Sequence, residues 1–366
     1  MKKIASILFT FLYVFAFSEE VPNFKLRGNV SLVVDYMTEY RDGLRFDNNY
    51  MPVDTTGIDF RAKNDPHHSI GDPGRVIGGT WGGIQAKIYA NYSISTPVLN
   101  FNNPLMKDNN IKFTANYEIS PITTNFGAQV TFTPVAFLIF NTGFLVGPAW
   151  KINDTLAGLG LNNKGTIQRL DFGGPVFQQW FSVTFQMDTA FVLPQQVQKW
   201  THFVFLGTTT IKYQALIGID YNQPYMYEEC PGEQLGGWRL VADALLGYRY
   251  YIIEDNDFDK GRFIKRDNRN LIVTVGMYVW LDYLDISHFN DSPMADGWGS
   301  DFAFLNFGPA GQIDLPGNFY IRLFAMFRND RVYTDDTVGN LYYQDRKYAD
   351  YNIFFRFAGG FIGWNF

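Results

Sequence analysis

One cysteine, Cys230, stands among 366 residues. No intramolecular disulfide can form, and no Cys-based zinc or iron–sulfur site can be built. Charge is scarce too. Asp, Glu, Lys and Arg make up 18% of the chain, below the ~25% of an average globular protein. Beyond residue 18 long apolar runs are missing: stretches such as 135–140 fall far short of the ~20 residues that span a bilayer as a helix. The acidic excess, 36 Asp+Glu against 30 Lys+Arg, gives no reason to expect nucleic-acid binding.

What the chain has in quantity is aromatic side chains. With 35 Phe, 22 Tyr and 8 Trp, intrinsic disorder is excluded. The N-terminus begins with Lys2 and Lys3, followed by an apolar run over 4–17 that only Ser6 and Thr10 interrupt. Ala16-Phe17-Ser18 then puts small residues where a signal peptidase reads, ahead of Glu19-Glu20. This pattern predicts a secretory signal peptide over 1–18 and a single mature domain over 19–366. A retained helical anchor is the alternative, but the run is short for one. No Cys lies near the cleavage point, so no lipid anchor is expected there. Loss of Lys2 and Lys3 leaves 28 basic against 36 acidic residues, a net of -8.

Along the mature chain apolar and polar residues alternate, the mark of a strand with two unlike faces. Ile111, Phe113, Ala115, Tyr117 and Ile119 alternate without exception with Lys112, Thr114, Asn116, Glu118 and Ser120. Val30 to Tyr36, Ile84 to Ile94, Phe126 to Phe132, Phe181 to Met187, Ile211 to Ile219 and Phe319 to Phe327 repeat the design. A short connection, Ser120-Pro121-Ile122-Thr123-Thr124-Asn125, joins two of these segments. Long polar stretches over 42–79, 97–110, 222–237, 254–270, 287–301 and 329–350 read as loops. Short turns on one side and long loops on the other predict an all-β, transmembrane antiparallel β-barrel of about 14 strands, within roughly 12–16.

Three features favour a membrane barrel over a soluble sandwich. The apolar faces run over about 10 residues, as in a tilted spanning strand, where soluble strands average about five or six. Aromatics stand at the strand ends, including Tyr36, Tyr40, Trp81, Tyr92, Tyr117, Tyr221, Trp238 and Tyr248, where interfacial girdles would place them. The third is the C-terminus, in which Ile362, Trp364 and the last residue, Phe366, share one face. That ending resembles the assembly signal of bacterial outer-membrane β-barrel, porin-like proteins. The usual glycine of the signal would fall at Phe361, whereas here glycines stand at 359, 360 and 363. A looser resemblance, in size and aromatic content, is to the variable surface proteins of intestinal spirochaetes. The first resemblance implies a bacterial outer-membrane location, and contact with lipid and with the barrel-assembly machinery.

Motifs that would carry other chemistry are weak. His67-His68 lacks a third ligand, so exposed loop histidines are expected, and no metal or cofactor. His202 has no Gly-x-Ser-x-Gly or comparable nucleophile beside it and reads as a packed or lumen-facing residue, not an enzyme's base. Asp255-Asn256-Asp257-Phe258-Asp259-Lys260-Gly261 starts like a calcium loop, but its glycine comes one place late and Arg266 stands where a bidentate Glu is needed. The glycine-rich 71–79 lacks the Gly-Lys-Ser/Thr ending of a phosphate loop. What remains are charges on the polar faces: Lys87, Lys112, Glu118, Asp188, Lys212, Asp220, Arg239, Arg249, Arg322, Arg328 and Arg356. In a water-filled barrel they line the lumen and act on solutes. In the alternative they pair across strands as a polar filling. The expected function is passive diffusion of small hydrophilic solutes. The alternative is a surface-exposed structural or antigenic protein whose loops meet host molecules or antibodies. Mixed signs on the polar faces leave ion preference open, with the net of -8 tilting towards cations.

Overall fold

The computed structural model describes residues 24–37, 83–98, 105–106, 109–152, 157–163, 166–189, 202–219, 225–227, 233–234, 236–253, 271–283, 303–333 and 348–366. The expected signal peptide lies outside them, as do His67, His68, His288, the glycine-rich segment and the calcium-like loop. The strands in chain order are β1 (Lys25–Met37), β2 (Gly83–Thr96), β3 (Asn110–Ile119), β4 (Thr124–Val135), β5 (Leu138–Trp150), β6 (Leu159–Asn163), β7 (Thr166–Arg169), β8 (Phe172–Asp188), β9 (Phe203–Leu216), β10 (Tyr225–Tyr227), β11 (Glu233–Gln234), β12 (Gly237–Ile253), β13 (Leu271–Tyr283), β14 (Ala303–Asp314), β15 (Phe319–Tyr333) and β16 (Tyr348–Asn365).

Twelve of these close into one antiparallel barrel in the order β1-β16-β15-β14-β13-β12-β9-β8-β5-β4-β3-β2. The favoured number of about 14 is therefore corrected to twelve, inside the expected range. The four remaining strands leave the wall, because they lie in the β5–β8 and β9–β12 connections and pair with one another as a small sheet, β11-β10-β6-β7. The stretch 222–237, expected to be loop, thus contains β10 and β11. The loop expected over 329–350 is shorter than that, since β15 runs on to Tyr333 and β16 starts at Tyr348.

Alternation along the strands decides what faces where. Val30, Leu32 and Val34 of β1 are exposed on the outside while Ser31 and Val33 between them are buried. Among the described side chains, exposed large apolar residues occur on every barrel strand except β14, whose Phe307 and Ile313 are half-buried. Rings cluster on the outer surface at the two ends. One end has Phe203–Tyr248–Tyr250 and Phe319–Trp364–Phe366; the other has Tyr117–Phe126 and Tyr213–Trp238. Of the aromatics expected at strand ends, Tyr40, Trp81 and Tyr221 lie outside the described residues.

The end that holds Lys25 and Phe366 is the terminal end; the small sheet sits at the other, far end. Closure happens at Phe366, which exchanges both backbone hydrogen bonds with Gly28, 2.7 and 2.9 Å. A Cβ at Gly28 would fall inside the Phe366 ring. Ile362, Trp364 and Phe366 all point outward and are exposed. At Gly363 the missing side chain makes room for the Tyr320 ring. Phe361 faces inward and packs at 5.7 Å on Phe324.

Candidate functional site

Twelve strands about 4.8 Å apart, tilted by about 40°, give a backbone cylinder roughly 24 Å across. That is wider than the eight-stranded barrels that side chains alone can fill. The inner wall is the candidate site. Of the residues expected there, Lys87, Lys112, Glu118, Asp188, Lys212, Arg239, Arg249, Arg322 and Arg328 occupy inward register positions. Asp220 lies outside the described residues, and so does the side chain of Arg356, which stands at the β15–β16 register shift.

Ion pairs gather some of these residues. Lys87 meets Glu118 at 3.0 Å, its ammonium also 5.5 Å from the Tyr89 ring. Near the terminal end Asp188 accepts from Arg249 at 3.1 Å and lies 3.4 Å from Nδ1 of buried His202. Arg322 donates to Gln312 at 2.6 Å and stacks on Tyr320. Arg328 is buried with Asn306 near the far end of β14 and β15. Among the described residues no group of His, Cys, Asp and Glu could hold a metal ion.

The small sheet is anchored to this wall. Leu159, Tyr225 and Tyr227 pack on Ala149, Val176 and Leu216, the inward residues at the far ends of β5, β8 and β9. The Tyr227 hydroxyl donates to Asn125 of β4 at 2.6 Å, and Asn125 donates on to Glu118. Gln214 donates to the Tyr225 hydroxyl at 3.0 Å while its oxygen accepts from Arg239 and Gln178. Asn125, Gln214, Tyr225, Tyr227 and Arg239 are buried, so the sheet is fixed over the far mouth above β4, β5, β8 and β9.

Register shows a second order on the wall. Arg27, Ser93, Thr114, Gln129, Gly143, Trp180, Lys212 and Arg239 face one another in turn across eight strands, β1 to β12. The neighbouring rung towards the terminal end runs from Lys25 through Ser95, Lys112, Thr131, Asn141, Ser182 and Thr210 to Val241. On the other side lie Asn29, Asn91, Asn116, Gly127, Leu145, Gln178, Gln214 and Gly237. No carboxylate occupies any of these positions, while five of them are Lys or Arg. Of the wall's inward carboxylates, Asp35, Glu118, Asp188, Asp243 and Asp314 lie on other rungs, whereas Asp282 of β13 pairs with Val241 and so continues the Lys25 rung.

Sequence reasoning missed Lys25, Arg27, Asn125, Gln214, Tyr225 and Tyr227. The alternation of Lys25 and Arg27 with Leu26 was the available signal for the first two. No comparable signal exists for Tyr225 and Tyr227, since a three-residue strand is too short to show a period.

No family model matches the chain, and no curated protein does. Among solved structures it is similar to the crystal structure of Acinetobacter baumannii OccAB3, with 7% identity and a TM-score of 0.26, over 93% of this chain and 99% of that one. A likeness at that level transfers no activity. What is shown of the chain is the closed antiparallel barrel itself. The resemblance to spirochaete variable surface proteins finds no support in these comparisons.

Proposed function

We propose that the chain is a bacterial outer-membrane, surface-exposed barrel through which small hydrophilic solutes diffuse passively. One observation carries this reading: the apolar face points out around the ring while Lys, Arg, Asp, Glu, Asn, Gln, Ser and Thr point in. Soluble monomers rarely expose an apolar patch beyond a few hundred Å², and this one encircles the molecule. A ten-residue strand tilted by about 40° rises roughly 26 Å, the height of the lipid-facing band of outer-membrane barrels. A closed barrel also leaves no unpaired backbone edge in hydrocarbon.

In this reading membrane lipid is the first partner, and Ile362, Trp364 and Phe366 form the face presented to the barrel-assembly machinery. Hydrated solutes then pass a constriction set by the tethered sheet and the inner charges. No catalytic step and no nucleic acid enter. One observation favours a second reading, a structural or antigenic surface protein that displays its loops to host molecules or antibodies: the small sheet is bound to the wall and covers part of the far mouth.

Single-channel recording of the mature protein in a planar bilayer separates the two, with heat-modifiable gel mobility showing that the sample is a folded barrel. Stable conductance steps are expected. Silence from a folded barrel sinks the channel reading and leaves display.

A further inference from the structure

Three phenylalanines interrupt the polar inner wall. We propose that Phe324, Phe357 and Phe361 form a binding patch in the lumen for water-soluble solutes that carry an aromatic ring beside a hydrogen-bond-accepting oxygen. The proposal rests on the channel reading, which brings solutes to this wall, and goes beyond it by naming a group that the wall holds.

Register puts all three rings inside. Phe324 pairs with Gly359 across β15 and β16, and Phe357 and Phe361 flank that glycine on the same inward face. Gly359 has no side chain to fill the place between them. The Phe324 ring reaches both neighbours, with centroids 5.5 Å from Phe357 and 5.7 Å from Phe361. It meets the first edge-on at 74° and the second at a tilt of 58°. Val33 and Met326, inward on β1 and β15, are buried, whereas the three rings are only half-buried. Part of each ring therefore faces the lumen. Apolar surface in contact with water is unfavourable, and a further apolar group laid on it removes that contact. Tilted rings also leave faces and edges for another ring in the geometry that aromatic pairs prefer, with centroids about 4.5–7 Å apart. Along the rung of Phe324, Ala310, Gly276 and Gly247 carry at most a methyl group, so no bulky side chain stands next to it on β14, β13 or β12.

Arg322 supplies the polar end of the patch. It pairs with Phe361 and lies one inward step from Phe324 on β15. Its Nε–H donates to Gln312 at 2.6 Å, and its guanidinium carbon lies 5.2 Å from the centre of the Tyr320 ring. Gln312 is held in turn by donating to Asp314 at 2.7 Å. The guanidinium is thus fixed in direction, and its outer nitrogens make no hydrogen bond or ion pair among the described residues. A planar fork of donors beside apolar rings matches the make-up of small-molecule sites, where a mostly apolar lining carries a few placed polar groups. Membrane lipid does not compete for the patch, because on the channel reading hydrocarbon meets the opposite face of these strands, where Leu323, Phe327 and Ile362 are exposed. Whatever reaches the inner face crosses water first, which favours a soluble ring over a long alkyl chain.

Saturation-transfer NMR on the folded full mature barrel in deuterated detergent tests this without needing conduction. Benzamide is the neutral probe, and protein-free micelles give the blank. Saturable transfer to its ring protons is expected. Cyclohexanecarboxamide and acetamide, which keep the amide and lose the aromatic ring, should bind severalfold more weakly. The combined change Phe324→Leu, Phe357→Leu and Phe361→Leu keeps the wall apolar and should weaken benzamide binding severalfold, with Arg322→Gln weakening it by a smaller factor. Phe327→Leu, on the outer face of the same strand, should leave it unchanged. If the triple variant does not fold, Phe324→Leu alone serves, with the same direction expected.

Equal binding of acetamide and benzamide overturns the proposal, as does benzamide binding that the Leu variants keep. No transfer from a folded barrel also overturns it, whatever part of the chain then covers the rings. Planar-bilayer recording of the same samples separates this proposal from the channel reading. A conducting barrel whose current benzamide interrupts, an effect lost in the Leu variants, upholds both. A conducting barrel that binds no benzamide overturns the patch alone. A silent barrel that binds benzamide through these rings overturns the channel reading and upholds the patch, and a silent barrel that binds none overturns both.

Discussion

Gly28 is set by the last residue of the chain. Phe366 lays its ring over the Gly28 Cα while their backbones exchange both hydrogen bonds. Any side chain at 28 must push that ring away, at the one seam where the first and last strands join. Gly28→Val is therefore expected to lower the folded fraction sharply and Gly28→Ala less so, read as the heat-modifiable band on a gel. Equal folding of all three would show that the seam does not need the ring. At Glu118 the issue is charge. Glu118→Gln leaves the Lys87 ammonium without its carboxylate in a largely buried place, at a cost of about 1–3 kcal/mol. The double change to Met at both positions should recover much of that loss in a urea titration, since removing both partners spares the unpaired charge.

At this scale much was legible in the sequence. The period of two told Lys112 from Phe113 and Arg322 from Leu323, because side chains of a strand point alternately to opposite faces. It did not tell which inner residues meet. That Lys25, Lys112 and Lys212 share a region depends on the register between strands, and register is fixed by partners distant in the chain.

Among the elements, the small sheet is the one that sequence reasoning did not find. β10 is three residues long and its partner, Leu159–Asn163, lies far back in the chain. Alternation needs four or more residues to show. Counting alternating segments also cannot distinguish wall strands from strands that leave the wall, which is why about 14 became twelve. The sheet's hold on the barrel is both apolar and polar, so two substitutions test it separately. Leu159→Ala empties a fully buried site, at about 2–5 kcal/mol. Tyr227→Phe removes the donor to buried Asn125, at about 1–3 kcal/mol. Neither residue belongs to a strand of the twelve-stranded wall. Limited proteolysis in the 151–171 and 217–236 connections should accelerate in both variants while the barrel's own melting stays near the wild type. A matching fall in barrel melting would mean that sheet and wall unfold together.

For the whole molecule the decisive question is which solvent meets the outer face. Leu323 is exposed at 57% on the outside of β15, and hydrocarbon and water answer a charge there in opposite ways. If lipid covers the belt, Leu323→Arg costs about 2–4 kcal/mol near the bilayer midplane. If water covers it, the same change is neutral or favourable. Gln129→Arg supplies the control, because it adds the same side chain on the inner face of β4, among residues that already tolerate cations. Urea titration of both variants folded into lipid vesicles should therefore destabilise only Leu323→Arg. The asymmetry is the informative quantity, since an arginine that disturbed strand structure as such would act at both positions. Should Leu323→Arg fold as readily as the wild type, the apolar belt would not be facing hydrocarbon, and the channel and display readings would fall together.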